Sequence, residues 1–196
     1  MSYKEILAGI GIVIGLISYF VYFRGIFFGA TKPHVFSWFI WTVINATAFF
    51  AQLVKGGGAG AWVTATNAVM CLLVTVVALQ KGEKNITKSD WVCLVMAMAG
   101  IIGWVITKNP LTAVVLVCLT DIFAILPTFR KAYLKPYEEN AFSFAIDEVK
   151  FVLELIALGS FNLTTALFPI VILINDSLLV GMILIRRKKI PKTLSI

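Results

Sequence analysis

The sequence predicts an all-α integral membrane protein whose seven transmembrane helices form two parallel, duplicated triple-helix bundles joined by one connector, a 3+1+3 arrangement. Three observations predict it: seven apolar runs of spanning length, cations gathered on alternate connecting segments, and a weak self-match at an offset of 106 residues. Of the 196 residues 60% are apolar and 14% charged. An ordinary soluble domain has about 45–50% and about 25%, so a water-soluble globule of this composition would lack the polar surface to cover itself. No separate soluble domain fits.

A hydrocarbon layer of about 30 Å takes about 20 apolar residues per helix, and the candidate spans are 5–23, 36–55, 60–80, 91–107, 111–131, 142–159 and 163–185. The first, from Ile6 to Phe23, is followed by Arg24 and lacks a clear small-residue cleavage site, so a retained span is expected rather than a signal peptide. Thr31-Lys32-Pro33-His34 breaks the chain before the second run, Gly56-Gly57-Gly58 before the third, and Lys81-Gly82-Glu83-Lys84-Asn85 before the fourth. In the fourth, Gly100 and Gly103 permit close helix approach. The fifth opens on Asn109-Pro110, where the missing N–H of proline costs nothing in a first turn. Within it Pro127 offers a bend and is the candidate hinge. Lys135 to Asn140 precedes the sixth, Gly159-Ser160 closes it, and Arg186-Arg187-Lys188-Lys189 ends the seventh at the level of anionic lipid. The runs do not alternate with period two, which argues against a β-barrel.

Charge sets the orientation. With seven spans, thirteen cations fall on one side and Lys4, Lys55 and Lys108 on the other, with Lys150 inside a span. Cations are retained in the cytoplasm, so the N-terminus is expected outside, the C-terminus cytoplasmic, and the chain multi-pass in the cell membrane. The net charge of +7 therefore orients helices rather than binding nucleic acid. The expected partners are the lipid bilayer and a small-molecule substrate, with a homo-oligomer left open. Cys71, Cys93 and Cys118 lie in apolar runs and read as small core residues, and the lone His34 reads as a loop residue. No metal, cofactor or catalytic site is expected, since one histidine on a loop has no second to help it. A retinal protein would need a lysine in the last span, which is absent.

At the 106-residue offset Phe23-Arg24 falls on Phe129-Arg130, Phe36-Ser37 on Phe142-Ser143, Ile40 on Ile146, Val43 on Val149 and Ala51 on Ala157. Span boundaries superpose too, and two extra residues after the sixth span place Asn67 on Asn175. The expected division is a first three-helix unit at 1–80, a connector at 81–110, a second unit at 111–185 and a basic tail at 186–196. Two three-helix units separated by one helix run parallel, with their axis along the membrane normal.

This layout resembles the SWEET and PQ-loop (MtN3-like) superfamily of seven-span transporters, of which the chain looks like a divergent member. Leu126-Pro127-Thr128-Phe129-Arg130-Lys131 is similar to the family's Pro-Gln segment, with Thr128 in place of glutamine, while the first unit has Val21-Tyr22 there. The resemblance implies a cavity asparagine from the third helix of each unit, matched by Asn67 and Asn175, and a cavity aromatic from the second. Trp38, Trp41 or Phe49 stands there in the first unit, and Trp41 overlays Asp147 in the second.

Ionisable side chains inside spans cost about 2.5–3.5 kcal/mol each on insertion scales, and all of them lie in the second unit: Asp121, Asp147, Glu148, Lys150, Glu154 and Asp176. Their counterparts in the first are Gly15, Trp41, Thr42, Ile44, Ala48 and Ala68. Asp147, Lys150 and Glu154 share one helix face, as an internal ion-paired ladder or as a switchable coupling site. Asp121 and Asp176 have no lysine on their own helices; each carries a proton, attracts a cation, or bonds a neighbouring helix. The candidate substrate-binding residues are Asn67, Asn175, Asp176, Asn45 and Trp41, and the candidate coupling residues Asp121, Asp147, Lys150 and Glu154. Span threonines such as Thr42, Thr64 and Thr66 are expected to return their hydroxyls to their own backbone. The expected function is transport of a small polar solute (a sugar, amino acid or related metabolite) by alternating access, with proton or cation coupling open. The other reading is a non-transporting receptor or assembly partner on the same scaffold, since fold alone does not decide function.

Overall fold

The structure, a computed structural model, describes residues 2–107 and 109–190, without the side-chain surroundings of residues 97, 100, 101 and 103–105. The expectations at Gly100, Gly103, Lys108 and the tail beyond Ile190 lie outside these described residues. Seven α-helices follow in order: α1 Tyr3–Phe27, α2 Val35–Val54, α3 Gly58–Lys81, α4 Lys88–Thr107, α5 Pro110–Leu134, α6 Ala141–Ala157 and α7 Leu163–Lys189. Local signals start them. Ser2 and Glu5 form a reciprocal capping box on α1, Asn109 caps α5 ahead of Pro110, and Asn162 with Thr165 caps α7. Gly29, in the left-handed region at φ 74°, turns the chain out of α1.

Five helices, α1, α2, α3, α5 and α7, are long and apolar enough to cross a membrane. The 17-residue α6 carries four ionisable side chains and falls short of that measure, and α4 is not among the five. Apolar side chains cover the outside of the bundle, and inside it polar and ionisable groups are set among an apolar core. Val13, Phe20, Leu79, Ile122 and Leu178 face outward, whereas Asn45, Gln52, Asp121, Lys150 and Glu154 are buried. That distribution suits a hydrocarbon solvent, in which a charge needs an internal partner.

Each set of three helices packs in the order first, third, second: α1 on α3 and α3 on α2, α5 on α7 and α7 on α6. Between the sets α1 lies on α6, and α2 lies on α5. Exchanging α1, α2 and α3 for α5, α6 and α7 maps this pattern onto itself, while α4 docks mainly on α5 outside it. Equivalent loops also touch at both ends of the bundle. Lys32 and Glu138, 106 residues apart, form an ion pair at 3.0 Å at one end. At the other, Gly159 N–H donates to the Gly57 carbonyl and Ser160 N–H to that of Gly56, both at 3.0 Å. A Cβ on Gly58 would lie 3.1 Å from Gly159 Cα, and Gly58 has φ 59°, so the glycine run is what lets these two backbones meet.

Candidate functional site

A cavity lies between the two sets of helices. The first set lines it with Tyr19 of α1, Trp38, Trp41 and Asn45 of α2, and Asn67 and Cys71 of α3. The second set adds Asp121 and Ile125 of α5, Phe144, Asp147 and Phe151 of α6, and Ile172 and Asp176 of α7. Within each helix these residues recur at intervals of three, four or seven, so each helix presents a single stripe. Water centres have about 30 Å³ available. One water needs roughly 10–15 Å³ by that measure, so the space holds about two.

One hydrogen-bonded network runs along the wall. Lys150 Nζ lies 3.1 Å from Asp147 Oδ2 and donates to Asn67 Oδ1 at 2.6 Å. The same Asn67 oxygen accepts from the Tyr19 hydroxyl at 2.7 Å. Asn67 Nδ2 donates to Asn45 Oδ1 at 2.9 Å, and Asn45 Nδ2 to the Trp41 carbonyl at 2.8 Å. Trp41 Nε1 then donates to Asp121 Oδ1 at 2.9 Å, and Asn175 Nδ2 to Asp121 Oδ2 at 2.7 Å. The lysine ammonium also stands 4.4 Å from the Phe151 ring centre and 5.4 Å from that of Tyr19, which adds cation–π attraction. Room for the lysine comes from Gly15, where a Cβ would fall 2.7 Å from Lys150 Cδ. Asp176 is buried on the wall, and among the described residues it makes no hydrogen bond or ion pair.

Most of the expected site residues meet here: Asn67, Asp176, Asn45, Trp41, Asp121 and Asp147 line the cavity, and Lys150 bridges two of them. Two expectations are corrected, and one alternative is settled. Asn175 is half-buried behind the wall and serves Asp121, because Asp176, about 100° around α7, takes the cavity face. The paired amides therefore do not play equivalent parts. The charge ladder on α6 stops at Lys150. Glu154 has no ion pair among the described residues and instead accepts from Thr64 and Gln52, because Lys150 turns toward Asp147 and Asn67. For Asp121 the structure agrees with the alternative of a bond to neighbouring helices, since a tryptophan of α2 and an amide of α7 both reach it. Of the aromatics, Trp38 and Trp41 reach the cavity, whereas Phe49 packs on Trp62. Pro127 is buried within an α5 that continues to Leu134, and Pro169 occupies a similar interior place in α7.

No protein-family model, curated protein or solved structure matches this chain. The chemistry of the cavity therefore rests on its own residues. It has three carboxylates against one ammonium, with five aromatic rings around them. That combination suits a cation, attracted by charge and by ring faces. Among the described residues no group of three or more His, Cys, Asp or Glu is placed to hold a metal.

Sequence reasoning missed Tyr19 and Gln52. The signal for Tyr19 was the stripe Ala8, Gly11, Gly15, Ser18 on α1, whose small side chains mark the face that other helices approach and on which Tyr19 also lies. Thr42 and Thr66 return their hydroxyls to the Trp38 and Trp62 carbonyls as expected, but Thr64 reaches across to Glu154.

The end of the bundle bearing Lys32 is cross-linked by charge. Buried Lys131 pairs with Glu139 and donates to the Lys32 carbonyl at 2.6 Å, and the Tyr22 hydroxyl donates to Glu139 at 2.9 Å. Arg130 and His34 both approach Asp90, at 2.7 and 3.3 Å. Burial raises the Asp90 pKa, but the Thr87 N–H and the Arg130 guanidinium outweigh it and leave the carboxyl below its ordinary value. Burial also pushes the His34 imidazole below its usual range, against the pull of Asp90. Glu83, raised by burial but lowered more by the Asn85 N–H and by Lys135, ends below its ordinary value, and Lys135 is held above its own by Glu83. His34 is thus wholly buried, not a solvated loop side chain.

Proposed function

We propose that the chain is a membrane carrier for a small polar solute, related to the SWEET and PQ-loop layout, with all seven helices spanning and the two three-helix units moving about the shared cavity. The observation that carries this reading is the cavity itself. It lies between the two units, takes lining residues from both, and holds in Asp176 a buried carboxyl group with no hydrogen bond or ion pair among the described residues. The matching helix order in the two units and the contact of equivalent loops at both ends support a parallel duplication, in which rocking of one unit against the other opens the cavity to alternate sides. The cavity has room for about two waters, and a solute enters when the units separate. The acidic and aromatic wall favours amines and other cationic metabolites among the candidate solutes, and Asp176, without a hydrogen bond or ion pair among the described residues, is the carboxyl that such a group or a coupling proton would meet.

Flux into proteoliposomes tests this, with sugars, amino acids and cationic metabolites screened with and without a pH gradient. Saturable uptake of one class, lost in Asp121→Asn and freed of its pH dependence in Asp176→Asn, is the expected result. No flux of any class, with the protein folded, favours the reading as a receptor or assembly partner, for which the tight aromatic packing of the cavity is the supporting observation.

A further inference from the structure

Glu154 lies outside the cavity and outside the Lys150 network, on the part of α6 that faces α2, α3 and α7. Its side chain is wholly buried. Oε1 accepts from the Thr64 hydroxyl at 2.6 Å and from Gln52 Nε2 at 2.9 Å, whereas Oε2 is buried with no partner among the described residues. Gln52 is equally buried, and its Nε2 also donates to the Thr165 carbonyl at 3.1 Å. Both neighbours on that side are acceptors, which fixes the way the amide points. Gln52 Oε1 is then a second buried oxygen without a donor.

An ionised Glu154 has no ion-pair partner among the described residues. Lys150, one turn away on α6, is spent on Asp147 and Asn67. Lys4 of α1 donates to the Leu158 and Gly159 carbonyls, and Lys55 at the end of α2 is exposed. The Lys150-bearing face of α6 brings Asp147 as well, and α3 and α7 add no ion pair to Glu154 among the described residues. The two unpartnered oxygens belong to a carboxyl and an amide already joined by one hydrogen bond. A single proton on Oε2 makes that oxygen a donor, and Gln52 Oε1 is the acceptor lacking one, so one proton answers both. A metal cation does not, since hard cations take about six oxygen ligands, while Gln52 and Thr64 aim hydrogens at this carboxyl.

We propose that Glu154 is a proton-binding site, its carboxyl held in the acid form as a pair with the Gln52 amide and separate from the central cavity. This assignment concerns one side chain and stands whether or not the chain carries a solute.

Infrared difference spectroscopy on the full chain in lipid nanodiscs at neutral pH tests it. Wild type minus Glu154→Gln is expected to contain an acid carbonyl band that shifts in heavy water. The glutamine keeps both incoming hydrogen bonds and offers Gln52 Oε1 a donor, so this variant is expected to fold. Thr64→Val removes one donor to the acid carbonyl and is expected to move the same band to higher frequency. Absence of any acid band in the first difference overturns the proposal. So does a band that is lost in Glu154→Gln but unmoved in Thr64→Val, because the acid carbonyl would then not be the oxygen that Thr64 reaches.

Discussion

Asn67 on α3 and Asn175 on α7 occupy matching places in the two sets of helices and are held in opposite ways. Asn67 turns its oxygen toward a cation, Lys150, and a phenol, Tyr19. Asn175 turns its amide hydrogens toward an anion, Asp121. The residue that separates them sits one helix away. Where α5 has Asp121, α1 has Gly15 at the 106-residue offset, and the missing side chain leaves the groove that Lys150 fills from α6. The absent side chain at Gly15 and the carboxylate at Asp121 thus give the cavity wall distinct positive and negative poles. The first set of helices contributes amides, a phenol, a thiol and indoles, and the second contributes every carboxyl group on the wall together with Lys150.

The sharpest way to break this asymmetry is to remove its positive pole. Lys150→Met leaves Asp147 without its cation in a largely buried setting, and loss of one partner of such a pair costs about 3–5 kcal/mol. Unfolding in mild detergent is expected to show that loss, and adding Asp147→Leu is expected to recover much of it. Equal instability of the single and double variants would mean that the pair is not coupled. Next in size is Gly15→Ala, whose methyl meets the lysine stem 2.7 Å away. Overpacking of this kind costs about 1–3 kcal/mol. Gly9→Ala on the same helix meets nothing within 4 Å and is expected to be neutral or slightly stabilising, as helix propensity favours alanine by about 1 kcal/mol. The two amides sharpen the contrast further. Asn67→Leu strands the Tyr19 hydroxyl, the lysine and the Asn45 oxygen, for an expected loss of about 1–3 kcal/mol. Asn175→Leu removes one donor from a carboxylate that keeps Trp41, and roughly 1 kcal/mol is expected.

How far the sequence carried this picture depends on the kind of signal. Helix existence was legible because spanning runs and their breakers are local: each predicted run coincides with a helix, although the second overruns α2 by one residue and the sixth overruns α6 by two, and Pro110, Asn109 and Gly56–Gly58 act where they were read. The depth of Asp121, Asn67 and Asp176 was legible for the same reason, since an ionisable or amide side chain in an apolar run has to face inward. Partnership was not. Periodicity put Asp147, Lys150 and Glu154 on one face, but which neighbour each side chain chose depended on α1, α2 and α3, and above all on a groove made by a glycine. Gln52 was invisible because its place near a helix end reads as solvent access, while the α2–α3 and α6–α7 loops in fact close over it.

The smallest expected effect sharpens the same comparison at the charged end of the bundle. Asn140 and His34 are equivalents at the 106-residue offset, each just before the second helix of its unit. Asn140 caps α6 by accepting from the Ser143 N–H at 3.1 Å, whereas His34 makes no cap on α2 and points at Asp90 on α4 instead. Burial holds the folded imidazole below its usual pKa, against Asp90 and with the help of Lys131 and Arg130. The unfolded chain takes up a proton near about 6.5, so it binds more protons than the folded state just below that value. This contribution to stability is therefore present at neutral pH and lost as pH falls below about 6.5. Asp90, whose folded pKa is depressed, loses its own contribution only in much more acid solution. His34→Asn restores the cap chemistry of its twin and removes the titrating group. Groups common to both chains cancel in the difference between them, so from about pH 7 to pH 5.5 the variant is expected to gain stability relative to the wild type by less than about 1 kcal/mol. A difference between the two that does not change with pH would leave His34 as packing alone.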